Sequence, residues 1–214
     1  MLKNNIVSKI AGTKVMAVVR INTRERAIEI AEGLLAGGVD VMEISYNSDN
    51  ASDHIRYLTH NYPDMLVGAG TVLDAETARI AIDAGAKFII APTFSKAVAK
   101  LCNRYQIPYC PGCTTCNEMV EAMEYGASFI KCFPISNFYG PDLVKIFKTP
   151  LPQMPVMVSG GVSMDNIDEW LKNGADCLAM GGLLTKGGKD DIAASARKVM
   201  ERVHGGKYSP GHWR

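Results

Sequence analysis

The feature that most constrains this chain is an alternation. Short apolar, β-branched runs are each followed by a longer stretch with helical period. The first four pairs are VMAVV (15–19) with 24–35, VDVMEI (39–44) with 51–60, MLVGA (65–69) with 75–84, and KFIIA (87–91) with 95–105. The other four are IPYCP (107–111) with 116–125, SFIKCF (128–133) with 141–147, PVMVS (155–159) with 163–173, and DCLAM (176–180) with 189–203. Parallel strands cannot be joined by tight turns and need crossover helices, so the pattern predicts a parallel α/β sheet. "AGG", "AGA", "YGA" and "NGA" recur before the second, fourth, sixth and eighth strands, as helix stops feeding a repeated unit. Eight near-equal units predict a (β/α)8 TIM barrel; an open doubly wound sheet is the alternative.

Local signals agree with that frame. Asn22 or Thr23 is placed to cap the helix from 24, and Ser163 to cap the one before Gly174. An extra N-terminal helix over about 3–11 is expected to cap the barrel's bottom. The chain is read as one domain, 1–214, with 205–214 as a flexible tail.

Charge and cysteine usage narrow the function classes. A net charge of +1 leaves no basic excess for a nucleic-acid or membrane surface. No apolar run is long enough to span a bilayer, and MLKNNIVSKIAGTK carries no export pattern. A cytoplasmic protein with reduced thiols is therefore expected. "CPGCTTC" (Cys110, Cys113, Cys116) invites a metal reading, but the four histidines supply no second ligand pair at a fitting spacing. Unliganded thiols, no metal and no cofactor are expected, with Pro111 and Gly112 forcing a turn.

Candidate chemistry starts at Lys131, in the middle of the apolar run SFIKCFPIS. Alternation puts Phe129, Lys131 and Phe133 on one face. A buried ammonium costs several kcal/mol unless it is paired or gives up its proton. A neutral amine attacks carbonyls to form a Schiff base. The alternative is an outward lysine that snorkels to water. Glu43 shares a face with Val39 and Val41 and poses the same problem with opposite charge. Across a barrel the two can meet, with Glu43 as general acid and base, or as a structural ion pair. Arg20 ends the first strand on the face of Met16 and Val18, suited to a carboxylate or phosphate or simply a rim charge. In VGAGTVL, Gly68 and Gly70 allow close backbone approach and Thr71 offers a hydroxyl, although a plain turn reads the same way. VSGGVS (158–163, with Ser159, Gly160 and Gly161) and MGGLLTKGG (180–188, with Gly181 and Gly182) follow the seventh and eighth strands. Barrels commonly build phosphate sites there.

With these residues in place, the chain resembles the class I 2-keto-3-deoxy-6-phosphogluconate / 4-hydroxy-2-oxoglutarate (KDPG/KHG) aldolases. The likeness runs from VMAVVRINT through GGVDVMEISY, VGAGTVLD, AGAKFIIAPTF, IPYCPGCTT, FIKCFPIS and VSGGVSMDN to MGGLLTKG. The resemblance implies a cofactor-free homotrimer acting on a phosphorylated keto acid. It implies Lys131 as the Schiff-base lysine and Glu43 as acid and base. Arg20 and Thr71 match carboxylate-holding positions, Pro92 lines the pyruvyl pocket, and Gly160, Gly161 and Gly181 match the phosphate-binding backbone. Two positions depart from the pattern. Asn47 stands where some members have arginine, and Gly182 where many have serine. EISYNS and CPGCTT also look like the related phosphogalactonate aldolases. Rival readings are a phosphate-binding barrel without a Schiff base, a non-catalytic metabolite sensor, and a cysteine-ligated metal protein.

Overall fold

All eight anticipated strand runs are strands in the computed structural model, which describes residues 2–205, and one of them is broken in two. The strands are β1 (Val15–Val19), β2 (Val41–Ser45), β3 (Leu66–Gly70), β4 (Ile89–Ile90), β5 (Tyr109–Cys110), β6 (Gly112–Cys113), β7 (Ile130–Cys132), β8 (Val156–Ser159) and β9 (Cys177–Met180). Every pairing is parallel, in the order β5-β4-β3-β2-β1-β9-β8-β7-β6. The two ends of that order are separated in sequence only by Pro111, so the sheet comes round on itself into a nearly closed barrel. An open doubly wound sheet is thereby excluded.

Pro111 does not force the anticipated turn. Gly112 N donates to Ala91 O at 3.0 Å and Lys131 N to Pro111 O at 2.9 Å, so the chain stays extended between both neighbours. The proline simply has no N–H to give the ladder, which divides the strand. Gly112 is required here because a Cβ on it would stand 2.1 Å from the carbonyl oxygen of Pro92.

The helices are α1 (Leu2–Thr13), α2 (Arg24–Ala36), α3 (Ala51–Asn61), α4 (Ala75–Asp83), α5 (Lys96–Tyr105), α6 (Cys116–Glu124), α7 (Ser136–Tyr139), α8 (Asp142–Lys148), α9 (Ile167–Lys172), α10 (Gly182–Thr185) and α11 (Lys189–Gly205). Thr23 caps α2 by accepting from Arg26 N, and Asp74, Ser95 and Thr115 do the same for α4, α5 and α6. Each such cap contributes about 1 kcal/mol. Ser163 is not a cap. The helix starts later, at Ile167, because Asn166 accepts from Ser163 N at 2.8 Å and donates to Gly161 O at 2.8 Å, holding 161–166 as a loop. The glycines of the four helix stops, Gly38, Gly85, Gly126 and Gly174, all have positive φ, which is why the punctuation repeats. Of the anticipated tail, Gly205 ends α11 and 206–214 lie outside the described residues.

Strand alternation sorts the core in two. Val15, Ala17, Val19, Ile44, Val67, Ile89, Ile130 and Val158 pack outward against the helices. Met16, Val18, Val41, Phe88, Ile90, Cys110, Phe129, Met157, Cys177 and Ala179 fill the barrel, joined by Ile6 and Ile10 of α1. On β2 and β7 that inner face carries the buried polar residues Glu43 and Lys131.

Candidate active site

Glu43 and Lys131 both lie on the inward face. Glu43 pairs in register with Val18 on β1 and Gly68 on β3, and Lys131 with Gly112 on β6 and Met157 on β8. Counting β5 and β6 as one strand, β2 and β7 are four positions apart either way round the barrel, hence diametrically opposed. Glu43 is 2% exposed and Lys131 8%. The outward, snorkelling alternative for Lys131 does not hold.

The carboxyl of Glu43 lies against Gly70, where a Cβ would stand 2.6–2.8 Å from its Cδ and both oxygens. Its Oε2 has no hydrogen-bond partner among the described residues. Burial raises its pKa above the usual carboxylate value, and the charges of Lys131 and Arg20 pull the other way without cancelling the rise. A carboxylate held in this state binds a proton more tightly than one in water, which suits it to proton transfer. Lys131 Nζ sits over the ring of Phe133, 4.7 Å from its centre, an attraction of about 0.5–2 kcal/mol for an ammonium. The barrel thus holds an amine and a basic carboxyl, both shielded from water, facing each other above an apolar floor.

Around them stand the other anticipated residues. Arg20 follows the last residue of β1 and is exposed at the mouth, yet its charge reaches Glu43. Thr71, just past β3, has φ 59° and hydrogen-bonds its Oγ1 to Ser45 Oγ at 2.6 Å. Pro92 lies half-buried beside Gly112. Asn47 is exposed. Ser159 is buried, and its carbonyl accepts from Ser136 Oγ at 2.8 Å.

The two glycine pairs sit side by side. Ser159 pairs in register with Ala179, so Gly160–Gly161 and Gly181–Gly182 leave adjacent strands together. The carbonyls of Gly161 and Gly181 are taken up by Asn166 Nδ2 and by Leu184 N, whereas the N–H groups of Gly160, Gly161 and Gly182 donate to no backbone carbonyl among the described residues. Backbone donors without side chains over them are an anion-binding arrangement.

Sequence reasoning missed Ser45 and Asn137. Ser45 is fully buried and orients Thr71; extending the alternation one step beyond Glu43 would have found it. Asn137 lies against Gly160, where a Cβ would meet its side-chain amide at 2.7 Å. It sits on α7, a helix too short for periodicity to reveal. The cysteines of CPGCTTC do not converge. Cys110 faces into the barrel, Cys113 faces the helices, and Cys116 is exposed. Two hollows of about 400 and 320 Å³ lie elsewhere, between α2 and α3, and neither is lined by Lys131 or Glu43.

Comparison with known proteins agrees with this geometry. The sequence profile of the aldolase family described as KDPG and KHG aldolase matches residues 6–197. A 2-dehydro-3-deoxy-phosphogluconate aldolase of Haemophilus influenzae is 31% identical over 92% of this chain and 96% of its own length. A 2-dehydro-3-deoxy-6-phosphogalactonate aldolase of Escherichia coli K12 is 32% identical over 81% of this chain and 85% of its own. The KDPG aldolase of Legionella pneumophila, whose crystal structure captured pyruvate as a covalent carbinolamine, superposes with a TM-score of 0.80 at 26% identity, covering 94% of this chain and 97% of that one. The inward amine and carboxyl, the glycine turns and the match along nearly all of the barrel lead to one conclusion: the chain belongs to the KDPG/KHG aldolase family and is a carbon–carbon lyase.

Proposed function

We propose that the protein is a Schiff-base aldolase that reversibly cleaves 2-keto-3-deoxy-6-phosphogluconate to pyruvate and glyceraldehyde 3-phosphate. It also acts on 4-hydroxy-2-oxoglutarate, giving pyruvate and glyoxylate. The observation that carries this reading is the buried Lys131 facing, across the barrel, the buried carboxyl of Glu43, whose Oε2 has no hydrogen-bond partner among the described residues. Lys131 Nζ attacks the C2 ketone, and the carbinolamine loses water to an iminium. Glu43 takes the proton of the C4 hydroxyl, the C3–C4 bond breaks, and its electron pair moves into the iminium, leaving the enamine of pyruvate while the aldehyde departs. Protonation at C3 and hydrolysis release pyruvate and restore the amine. The iminium is itself the electron sink, so the cycle calls for no metal and no organic cofactor. The captured pyruvate carbinolamine of the Legionella relative supports this chemistry.

Arg20 and Thr71 hold the pyruvyl carboxylate, Pro92 and Phe133 wall the pyruvyl pocket, and Ser159, Gly160, Gly161, Gly181 and Gly182 take the phosphate end. Treatment with borohydride and pyruvate is expected to leave a reduced adduct on Lys131 in the peptide mass map, and Lys131→Ala to lose pyruvate release by at least about a thousandfold. An adduct elsewhere, or full turnover by the variant, would overturn the mechanism.

A second substrate is favoured by a specific observation. The phosphogalactonate aldolase is 32% identical to this chain and the phosphogluconate enzyme 31%, the former over a shorter match. A coupled pyruvate assay on the two C4 epimers assigns the substrate by the larger kcat/KM. We read the working form as a homotrimer, supported by the exposed Phe138, Tyr139 and Ile146 of the consecutive helices α7 and α8. The cytoplasm is the fitting compartment, since all six cysteines are free thiols and five are buried.

A further inference from the structure

We infer that Lys186 is the cation that meets the phosphoryl group of the substrate, in place of a side-chain hydroxyl at position 182. The inference rests on the proposed function for the identity of the ligand, but its residues are fixed by geometry. Lys186 folds back across Gly182. A Cβ on Gly182 would stand 3.2 Å from Lys186 Cε and 3.8 Å from its Nζ. The glycine is what leaves room for the aliphatic stem, so the missing side chain at 182 and the position of the lysine are one feature.

The backbone around it is pinned. Arg26, on α2, donates to the carbonyls of Thr185 and Gly187 at 2.5 and 2.8 Å, one on each side of Lys186. Both carbonyls are thus committed towards α2, and the lysine side chain is free to lie over the glycine turn. Among the described residues Lys186 is in no ion pair, unlike Lys9, Lys96, Lys148 and Lys189. The turn it covers carries the N–H of Gly182 and lies beside those of Gly160 and Gly161, none of which has a backbone acceptor among the described residues. An unpaired ammonium over the Gly182 turn, itself next to the Gly160–Gly161 turn, suits a phosphate dianion, which takes charge from the lysine and directional hydrogen bonds from the backbone.

The test compares the phosphorylated substrate, of the C4 epimer that the coupled assay assigns, with the 2-keto-3-deoxy sugar acid of the same configuration, which differs only by lacking the phosphoryl group. In Lys186→Met the ratio of kcat/KM values, phosphorylated over unphosphorylated, is expected to fall about tenfold, mainly through KM, as for loss of one partly solvated charge-assisted contact. Lys186→Arg is expected to regain most of the ratio. A ratio in Lys186→Met within about twofold of the parent's overturns the inference while leaving the aldolase reading intact. If the parent cleaves neither form of either C4 epimer, the aldolase reading fails, and calorimetry with inorganic phosphate decides. Weaker binding to Lys186→Met than to the parent upholds the anion site; equal or absent binding by both removes it.

Discussion

Glu43 shows what a carboxyl buried in the barrel costs in stability. Its pKa is raised in the folded chain, chiefly by burial, so folding favours its protonated form. That contribution is fully present below the unfolded value of about 4.3 and is lost as pH climbs through the folded value. At pH 7 the buried carboxyl therefore opposes folding. Glu43→Gln, which mimics the protonated group, is expected to be more stable than the parent at pH 7 by about 1–3 kcal/mol, and equal to it near pH 4. Melting curves across that range check this; a gap that ignores pH, or a less stable variant at pH 7, refutes it. On the proposed mechanism the same variant is expected to lose turnover, which would separate a catalytic from a structural role of the side chain. Glu43 and Lys131 were legible in the sequence for the reason they are costly: a charge on an otherwise apolar strand face is conspicuous. Ser45 was not, because a small hydroxyl in a strand breaks no rule of burial.

At the scale of elements, the longer helices and the strands were readable because period and punctuation agree. The short pieces were not. α7 and α10 have four residues each, too few for a helical repeat to register. The break at Pro111 and the late start of α9 depend on partners distant in sequence or on one asparagine's two hydrogen bonds, which local signals do not carry. The seam between α2 and α11 was also invisible. Gly33 and Gly37 face α11 so closely that a Cβ would stand 2.8 Å from Ile192 Cβ at the first and 2.3 Å from Ala196 Cβ at the second. A mid-helix glycine costs about 1 kcal/mol in propensity, so close packing is what justifies Gly33. Gly37→Ala is expected to destabilise the fold by about 1–3 kcal/mol by overpacking. Its KM for the substrate should not move, since the seam lies outside the barrel wall. Denaturant unfolding beside a steady-state assay measures both, and an unchanged midpoint would show that α11 can shift at no cost.

At the scale of the molecule, the barrel was legible from its eightfold alternation, while its surface was not. Exposure of Phe138, Tyr139 and Ile146, at 79%, 68% and 63%, emerges only once α7 and α8 are placed. Each leaves large apolar area in water, at roughly 25 cal/mol per Å², and a neighbour that covers it gains that much. If the working form is a trimer built on this face, sedimentation should give three times the chain mass of 23.2 kDa. Phe138→Ser combined with Ile146→Ser should then give the single-chain mass, because both substitutions remove apolar area without touching the buried core. The turnover of the dissociated variant carries a second answer. Lys131, Glu43, Arg20, Thr71 and both glycine pairs all belong to one chain, so turnover per chain is expected to stay within about threefold of the parent's. A parent that sediments as a single chain removes the trimer; a dissociated variant that is folded but inactive would instead show that α7, which packs on the Gly160–Gly161 turn through Asn137, needs its neighbour to hold the phosphate end in shape.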